Sequence, residues 1–177
     1  FSSPTERHDV KGAIYITGKG ENWTDYYVQW EMLFPKAWYM GIVFRFSEGE
    51  SFYLLDRREN SKQLDFWKRQ GGWKNFGTSE DAQGLAIEKW WSFQLKISGK
   101  DFEVKMKDTK KKTKFPKLDP VLEASQGEFK SGDFGNYGHV LLDNVVIATE
   151  LNDFINPWAV SPDNNYVTTW SRIKTID

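Results

Sequence analysis

The stretch of residues 90–107 reads WWSFQLKISGKDFEVKMK and contains two runs in which apolar and polar side chains alternate. The apolar residues occupy every second position of each run: Phe93, Leu95, Ile97, Phe102, Val104 and Met106. Successive side chains of a β-strand point to opposite faces, so this period of two predicts strands with one buried face. The polar, glycine-containing segment 98–101 between the runs predicts an antiparallel hairpin.

A similar pattern continues along most of the chain, where short aromatic and β-branched runs are separated by Gly, Asn, Asp and Ser. These runs predict further strands at residues 13–17, 26–34, 40–46, 52–55, 64–69 and 139–148. Half-buried strands of this kind predict an all-β fold, a sandwich of two antiparallel sheets. A helix is predicted only at residues 119–124, after a proline-containing connection.

Alternation also predicts which side chains face the core. In the run 41–46 we expect Ile42, Phe44 and Phe46 on the buried face, and Val43 and Arg45 on the opposite face.

Length and composition predict one main domain. A chain of 177 residues can bury a core without disulfides or metal ions, and it contains no cysteine. We place a β-sandwich at residues 1–150 and interpret residues 151–177 as an extension packed on the same domain, because its tryptophans would otherwise be exposed. The formal net charge of −1 gives no reason to expect nucleic acid as a partner. No apolar run approaches the roughly 20 residues of a membrane span.

Several segments together resemble a known group of domains. The run GIVFRF at 41–46 is followed by FYLLD at 52–56 and LDFWK at 64–68, and DNVVI at 143–147 follows a glycine-rich segment. This cadence resembles concanavalin A-like, laminin-G-like jelly rolls, in particular family 66 carbohydrate-binding modules and related glucanase-like domains. The resemblance covers about residues 13–148 and implies a jelly-roll sandwich and a secreted or cell-surface location. A lysine-rich insert and the tail have no counterpart in that pattern.

In the two-sheet interpretation, polar and aromatic residues at outward positions form the candidate ligand-binding set: Arg45, Tyr53, Asp65, Trp67 and Gln94, with Trp73 in a nearby turn. Flat aromatic rings cover the apolar face of a sugar, and charged or amide groups bind its hydroxyls. The alternative is structural. In that case Trp67 and Tyr53 pack under loops, and Arg45 pairs with Asp65 across strands.

Two further features carry weaker signals. Residues 105–117 contain seven lysines, which could contact an anionic glycan, although a solvated loop is the favoured interpretation. The resemblance also implies a structural Ca²⁺ in some relatives, with Asp143 at a position that matches; an ordinary hydrogen-bonding role for Asp143 is the favoured alternative. No cofactor is otherwise indicated.

The favoured function is a non-catalytic, lectin-like domain that binds carbohydrate. The alternative is a protein-interaction or adhesion domain of a secreted or surface protein, and a glycoside hydrolase ranks below both. The paired-carboxylate pattern Glu-x-Asp-x-x-Glu of glycoside hydrolase family 16 is absent, and two histidines give no sign of a triad.

Overall fold

Two antiparallel sheets form the structure of this chain, a computed structural model that describes residues 6–7, 14–16, 20, 22–37, 39–47, 50–58, 63–79, 85–150 and 168–170. The seven-stranded sheet has the order β1 (Glu6–Arg7), β2 (Ile14–Ile16), β11 (Asp133–Tyr137), β4 (Met40–Ser47), β5 (Ser51–Arg57), β6 (Leu64–Arg69) and β7 (Trp73–Thr78). The six-stranded sheet has the order β10 (Leu122–Ser125), β9 (Asp101–Asp108), β8 (Trp90–Ser98), β3 (Tyr26–Leu33), β12 (Leu141–Ala148) and β13 (Thr168–Trp170). The predicted all-β jelly-roll sandwich is confirmed.

The main core lies between the two sheets and is largely aromatic. Trp30 of β3 stacks on Phe93 of β8 with ring centroids 5.2 Å apart, and Phe44 of β4 meets Phe102 of β9 edge to face. All four rings belong to one buried cluster. The alternating apolar residues of the 90–107 hairpin face inward, as predicted. Burying one large apolar side chain stabilises the fold by about 1.5–3 kcal/mol.

A second apolar cluster lies on the opposite, outer face of the seven-stranded sheet. It consists of five buried residues, with Trp67 packed against them: Val43, Phe46, Phe52, Leu54 and Tyr137. An antiparallel sheet that faces water on one side normally carries polar residues there. This part of the sheet is therefore apolar on both faces, and the outer cluster is itself buried within the chain.

A β-bulge in β4 explains how Phe46 joins the outer cluster. The pairing of β4 with β5 shifts between Phe44 and Ser47, and Arg45 has a positive φ of 50°. The extra residue breaks the period of two, so Arg45 turns into the interior and Phe46 turns outward. The predicted positions of Phe46 on the buried face and of Arg45 on the outer face are both wrong for this reason.

Several elements differ from the sequence-based expectation. Residues 119–124 do not form a helix: β10 begins within that range, and the helical turn nearby is a 3-10 helix at Phe115–Lys117. Strands β7 and β11 lie in segments interpreted as a turn and a glycine-rich connection. Both carry enough glycine and polar residues to mask a strand pattern.

The C-terminal extension contributes β13, which pairs with β12 through Val145 and Trp170. The rest of residues 151–177 lies outside the described residues, so the packing of the whole extension on this domain stays a prediction. Across the described ranges, no helix is long and apolar enough to cross a membrane.

Candidate functional site

One row of residues crosses the outer face of the seven-stranded sheet. Direct cross-strand pairing links Tyr137 to Gly41, Gly41 to Asp56, Asp56 to Asp65, and Asp65 to Thr78. Gly41 leaves no side chain between Tyr137 and Asp56, and no larger residue fits there because a Cβ would lie 1.9 Å from the Leu55 carbonyl oxygen. Two carboxyl groups are thus direct neighbours on one face, which disfavours folding unless something compensates.

This row forms part of a depression that we call the aromatic bowl. Its volume is about 380 Å³, and its lining residues are Tyr39, Leu54, Asp56, Arg58, Trp67, Trp73 and Tyr137. The volume falls within the usual range of small-molecule sites, roughly 300–1,000 Å³. A mainly apolar and aromatic lining with a few convergent polar groups is also typical of such sites.

Arg58 connects the two sides of the aromatic bowl. Its Nε donates to Asp65 Oδ2 at 3.1 Å, and its guanidinium lies 3.7 Å from the ring centroid of Trp67 and 5.2 Å from that of Tyr39. A guanidinium over an aromatic face is held by the ring quadrupole. The face of Trp67 toward Arg58 is therefore already covered, and a ligand ring could stack there only if Arg58 moved.

Asp65 is a carboxylate whose oxygens are occupied. Besides the bond from Arg58, Asp65 Oδ1 accepts hydrogen bonds from Thr78 Oγ1 at 2.5 Å and from Asn75 Nδ2 at 3.4 Å. Asp65 is 6% exposed. These contacts hold the Asp65 side chain in place and fix the position of Arg58 above Trp67.

Asp56 is the opposite case. It is 3% exposed, and neither its Oδ1 nor the indole Nε1 of Trp67 has a hydrogen-bond partner in the structure as described. Burial raises the pKa of the Asp56 carboxyl to about 7; Arg58 lowers it, the charge of Asp65 raises it, and the nearby indole N–H of Trp67 lowers it. A buried carboxyl without full hydrogen bonding costs stability.

Trp73 supplies the most open aromatic surface of the aromatic bowl. It is 41% exposed, and it meets Phe52 and Tyr137 edge to face at centroid distances of 5.7 and 6.0 Å. Arg69 lies 5.4 Å from its ring centroid. These contacts hold the indole in place, and the rest of its surface is accessible to a ligand.

The structure brings together three of the residues predicted for ligand binding. Asp65, Trp67 and Trp73 all lie on the outer face of the seven-stranded sheet, on β6 and β7. Their role in binding stays a prediction. Trp73 begins β7 instead of lying in a free turn.

Arg45 and Tyr53 lie on the other side of the same sheet, so the predicted outward position is wrong for both. Arg45 is 1% exposed and donates to the carbonyl oxygens of Phe129 and Thr24 at 2.9 and 2.7 Å. Tyr53 pairs with Phe44 and is fully buried in the core, where its hydroxyl donates to Gln126 O and accepts from Phe129 N–H. Both tie the segment around residue 129 to the sandwich.

Gln94 lies on β8 of the six-stranded sheet, between Gln29 and Lys105 on the neighbouring strands. Its neighbours Phe93 and Leu95 face the core, so Gln94 lies on the opposite face of its sheet, as predicted, but it is only 4% exposed. It is on a different sheet from the aromatic bowl, however, and cannot contribute to it.

Asp143 lies on β12, where the pairing with β3 shifts. Its Oδ1 accepts the backbone N–H of Asn144 at 2.9 Å. Among the described residues no group of three or more His, Asp or Glu side chains could hold a metal ion. The calcium role suggested for Asp143 stays a prediction that these contacts do not support.

The lysine-rich segment 105–117 runs from β9 through an exposed turn into the 3-10 helix. Lys107 donates to Thr113 O at 2.7 Å and lies 5.0 Å from the ring centroid of Phe115, while Lys105 pairs with Glu103. Some of these lysines thus have structural contacts, and contact with an anionic glycan stays a prediction.

Sequence reasoning did not identify five lining residues: Tyr39, Leu54, Asp56, Arg58 and Tyr137. Asp56 lies near the end of β5, and Arg58 follows that strand at the start of the connection to β6. Asp56 and Asp65 stand at equal distances from that connection, and this symmetry was the available signal that they pair. Tyr39 and Tyr137 come from distant segments, and only the sheet order brings them together.

Solved structures with a similar fold include a carbohydrate-binding module. A family 66 carbohydrate-binding module from Bacillus subtilis aligns with a TM-score of 0.64 at 13% identity, over 81% of this chain and 91% of that one. Sheep galectin-11, solved in complex with glycerol, aligns with a TM-score of 0.53 at 10% identity, over 83% and 98%. A heptameric SAP-like pentraxin from Limulus polyphemus gives 0.50 at 7%, over 96% and 91%.

The fold resemblance is confirmed. This chain has the concanavalin A-like jelly-roll fold of those structures, and at such low identities the likeness shows the fold alone. The sequence matches no protein-family model and no curated protein.

Proposed function

We propose that this domain binds carbohydrate in the aromatic bowl. The observation that carries the proposal is the combination, in one depression, of an exposed indole at the rim, Trp73, with a buried carboxyl at the floor, Asp56. An indole covers the apolar face of a pyranose or furanose, and a carboxyl accepts hydrogen bonds from vicinal hydroxyls. The shared fold of a carbohydrate-binding module and a galectin supports this proposal.

The roles proposed for the individual residues differ from those expected from the sequence. Trp73 is the stacking platform, because the face of Trp67 is covered by Arg58. Trp67 and Arg58 together form a wall, and Asp65 holds that wall in place through Arg58. The proposal keeps the non-catalytic function and the secreted or surface location predicted from the sequence.

Replacing Trp73 by alanine should weaken glycan binding about tenfold, equivalent to ~1.4 kcal/mol of lost stacking and apolar contact. The measurement is a glycan array followed by isothermal titration calorimetry on the best neutral glycan. The fold should stay intact, because Trp73 is exposed at the start of β7.

Gln94→Ala is the matched control, since Gln94 is on the other sheet, and it should leave the affinity within about twofold of wild type. Binding that is lost with Gln94→Ala but kept with Trp73→Ala would move the site to the six-stranded sheet. Silence of the wild-type domain across the whole array would overturn the proposed function.

A further inference from the structure

The described lining of the aromatic bowl has no positive charge that is not already paired with a carboxylate. Two carboxyl groups, Asp56 and Asp65, are direct cross-strand neighbours, and the one cation among the described lining residues, Arg58, is hydrogen bonded to Asp65. Asp56 is 3% exposed, and its Oδ1 lacks a hydrogen-bond partner. An ionised Asp56 would therefore be a buried anion with an oxygen that lacks a hydrogen bond, which is unfavourable.

The rest of the lining suits a cation. Arg58 already shows that cations are held at these rings, since its guanidinium lies over both Trp67 and Tyr39. The open ring of Trp73 and the ring of Tyr137 complete the wall around Asp56. Aromatic rings attract a cation through their negative faces, and they do so most strongly when water is excluded.

We infer that the aromatic bowl prefers a cationic sugar, one that carries a free ammonium group, over the same sugar with a hydroxyl or an acetamido group. This inference rests on the proposed function and names the class of glycan for the same site. The ammonium would sit beside the Asp56 carboxyl, and the sugar ring would cover Trp73. Because Asp56 Oδ1 is buried in the empty domain, direct contact requires the side chains over it to shift. A neutral sugar offers only hydroxyls to a buried carboxylate, whereas an ammonium also neutralises it.

The same charge distribution disfavours anionic glycans. A uronic acid or a sulfated sugar would bring a third negative group next to Asp56 and Asp65, and like charges at close range repel. Binding at the aromatic bowl should therefore be distinct from any contact of anionic glycans with the lysine-rich segment 105–117.

The test uses two matched series of probes on the whole chain. The first is the β-1,4-linked tetramer of glucosamine, of N-acetylglucosamine and of glucose. The second is galactosamine, N-acetylgalactosamine and galactose, each coupled through the anomeric position to a polymer. In at least one series the amino sugar should bind about tenfold more tightly than both of its counterparts at pH 7.

Asp56→Asn should reduce this preference to about twofold or less, because the amide has the same shape and no charge. Asp119→Asn, the same change at an exposed residue far from the aromatic bowl, should leave the preference unchanged. A measurement on the wild type gives an independent check: raising NaCl from 50 to 500 mM should weaken binding of the amino sugar and leave neutral binding unaffected.

Equal binding within both series, or a preference that persists in Asp56→Asn, would overturn the inference. Binding of neutral glycans that is lost with Trp73→Ala, together with no preference for the amino sugars, would overturn the inference and leave the proposed function standing. Silence toward all six probes and toward the array would overturn both.

Discussion

Arg45→Ala should lower the free energy of unfolding by about 3 kcal/mol, although Arg45 was expected from the sequence to be a surface residue. Its guanidinium donates to the carbonyl oxygens of Thr24 and Phe129 and lies 5.4 Å from the ring centroid of Phe102. Hydrogen bonds that involve a charged donor contribute about 1.5–3 kcal/mol each, and alanine also leaves a cavity. Burial lowers the pKa of Arg45, which is the expected effect of removing a cation from water.

Urea denaturation followed by tryptophan fluorescence measures this loss. Arg69→Ala is the matched control, because Arg69 and its partner Glu50 are both partly exposed and their pair should contribute less than about 1 kcal/mol. Arg45→Lys should fall between wild type and alanine, since one ammonium cannot reproduce the planar fork that reaches two carbonyls. A loss below 0.5 kcal/mol for Arg45→Ala would contradict an interior position of the guanidinium.

The same variant separates the core from the site. Arg45 is on the inner face of β4 and lines no part of the aromatic bowl, so a folded Arg45→Ala domain should keep the glycan affinity of wild type. Loss of binding in a folded variant would restore the role predicted for Arg45 from the sequence.

The fold could be predicted from the sequence where the outer face of a strand is polar. Residues 90–107 alternate cleanly because their outer positions carry Gln, Lys and Glu, so the inner residues are unambiguous. Residues 52–55 form an unbroken apolar run, because the seven-stranded sheet is apolar on both faces. Tyr53 faces the core and Leu54 faces the outer cluster, and the run itself contains nothing that distinguishes them.

The site was harder to predict than the fold because cross-strand pairing creates it. Asp65 and Trp67 were identified from parity within one strand, which a sequence can show. Asp56 becomes informative only when it is known to lie opposite Asp65, and Tyr137 only when β11 is known to lie beside β4. The bulge at Arg45 also limited the prediction of the site. Arg45 has a positive φ, and the residues after it in β4 point to the faces opposite to those that the alternation predicts.

Asp56→Asn should raise the free energy of unfolding at pH 8 by about 2–4 kcal/mol. The pKa of Asp56 is about 7 in the folded protein and near 3.8 without burial, so the folded state binds the proton more tightly than the unfolded state. Stability is therefore lost as the pH rises from about 4 to 7, and the full cost of ionising the buried carboxyl is present above pH 7. A pKa difference of one corresponds to 1.36 kcal/mol, which sets an upper limit of about 4 kcal/mol.

Comparing wild type with Asp56→Asn at several pH values separates the titration of Asp56 from that of the other carboxyls. The variant should exceed wild type most at pH 8 and match it closely near pH 4, because an asparagine resembles the protonated carboxyl in shape and charge. Arg58, Asp65, Trp67 and Tyr137 face Asp56 and are the same in both proteins. Chemical denaturation at pH 4, 6 and 8 measures the difference, and a constant difference would mean that Asp56 does not titrate in this range. A gain that grows with pH would show that Asp56 reduces stability in the empty domain, which is what a residue retained for its ligand is expected to do.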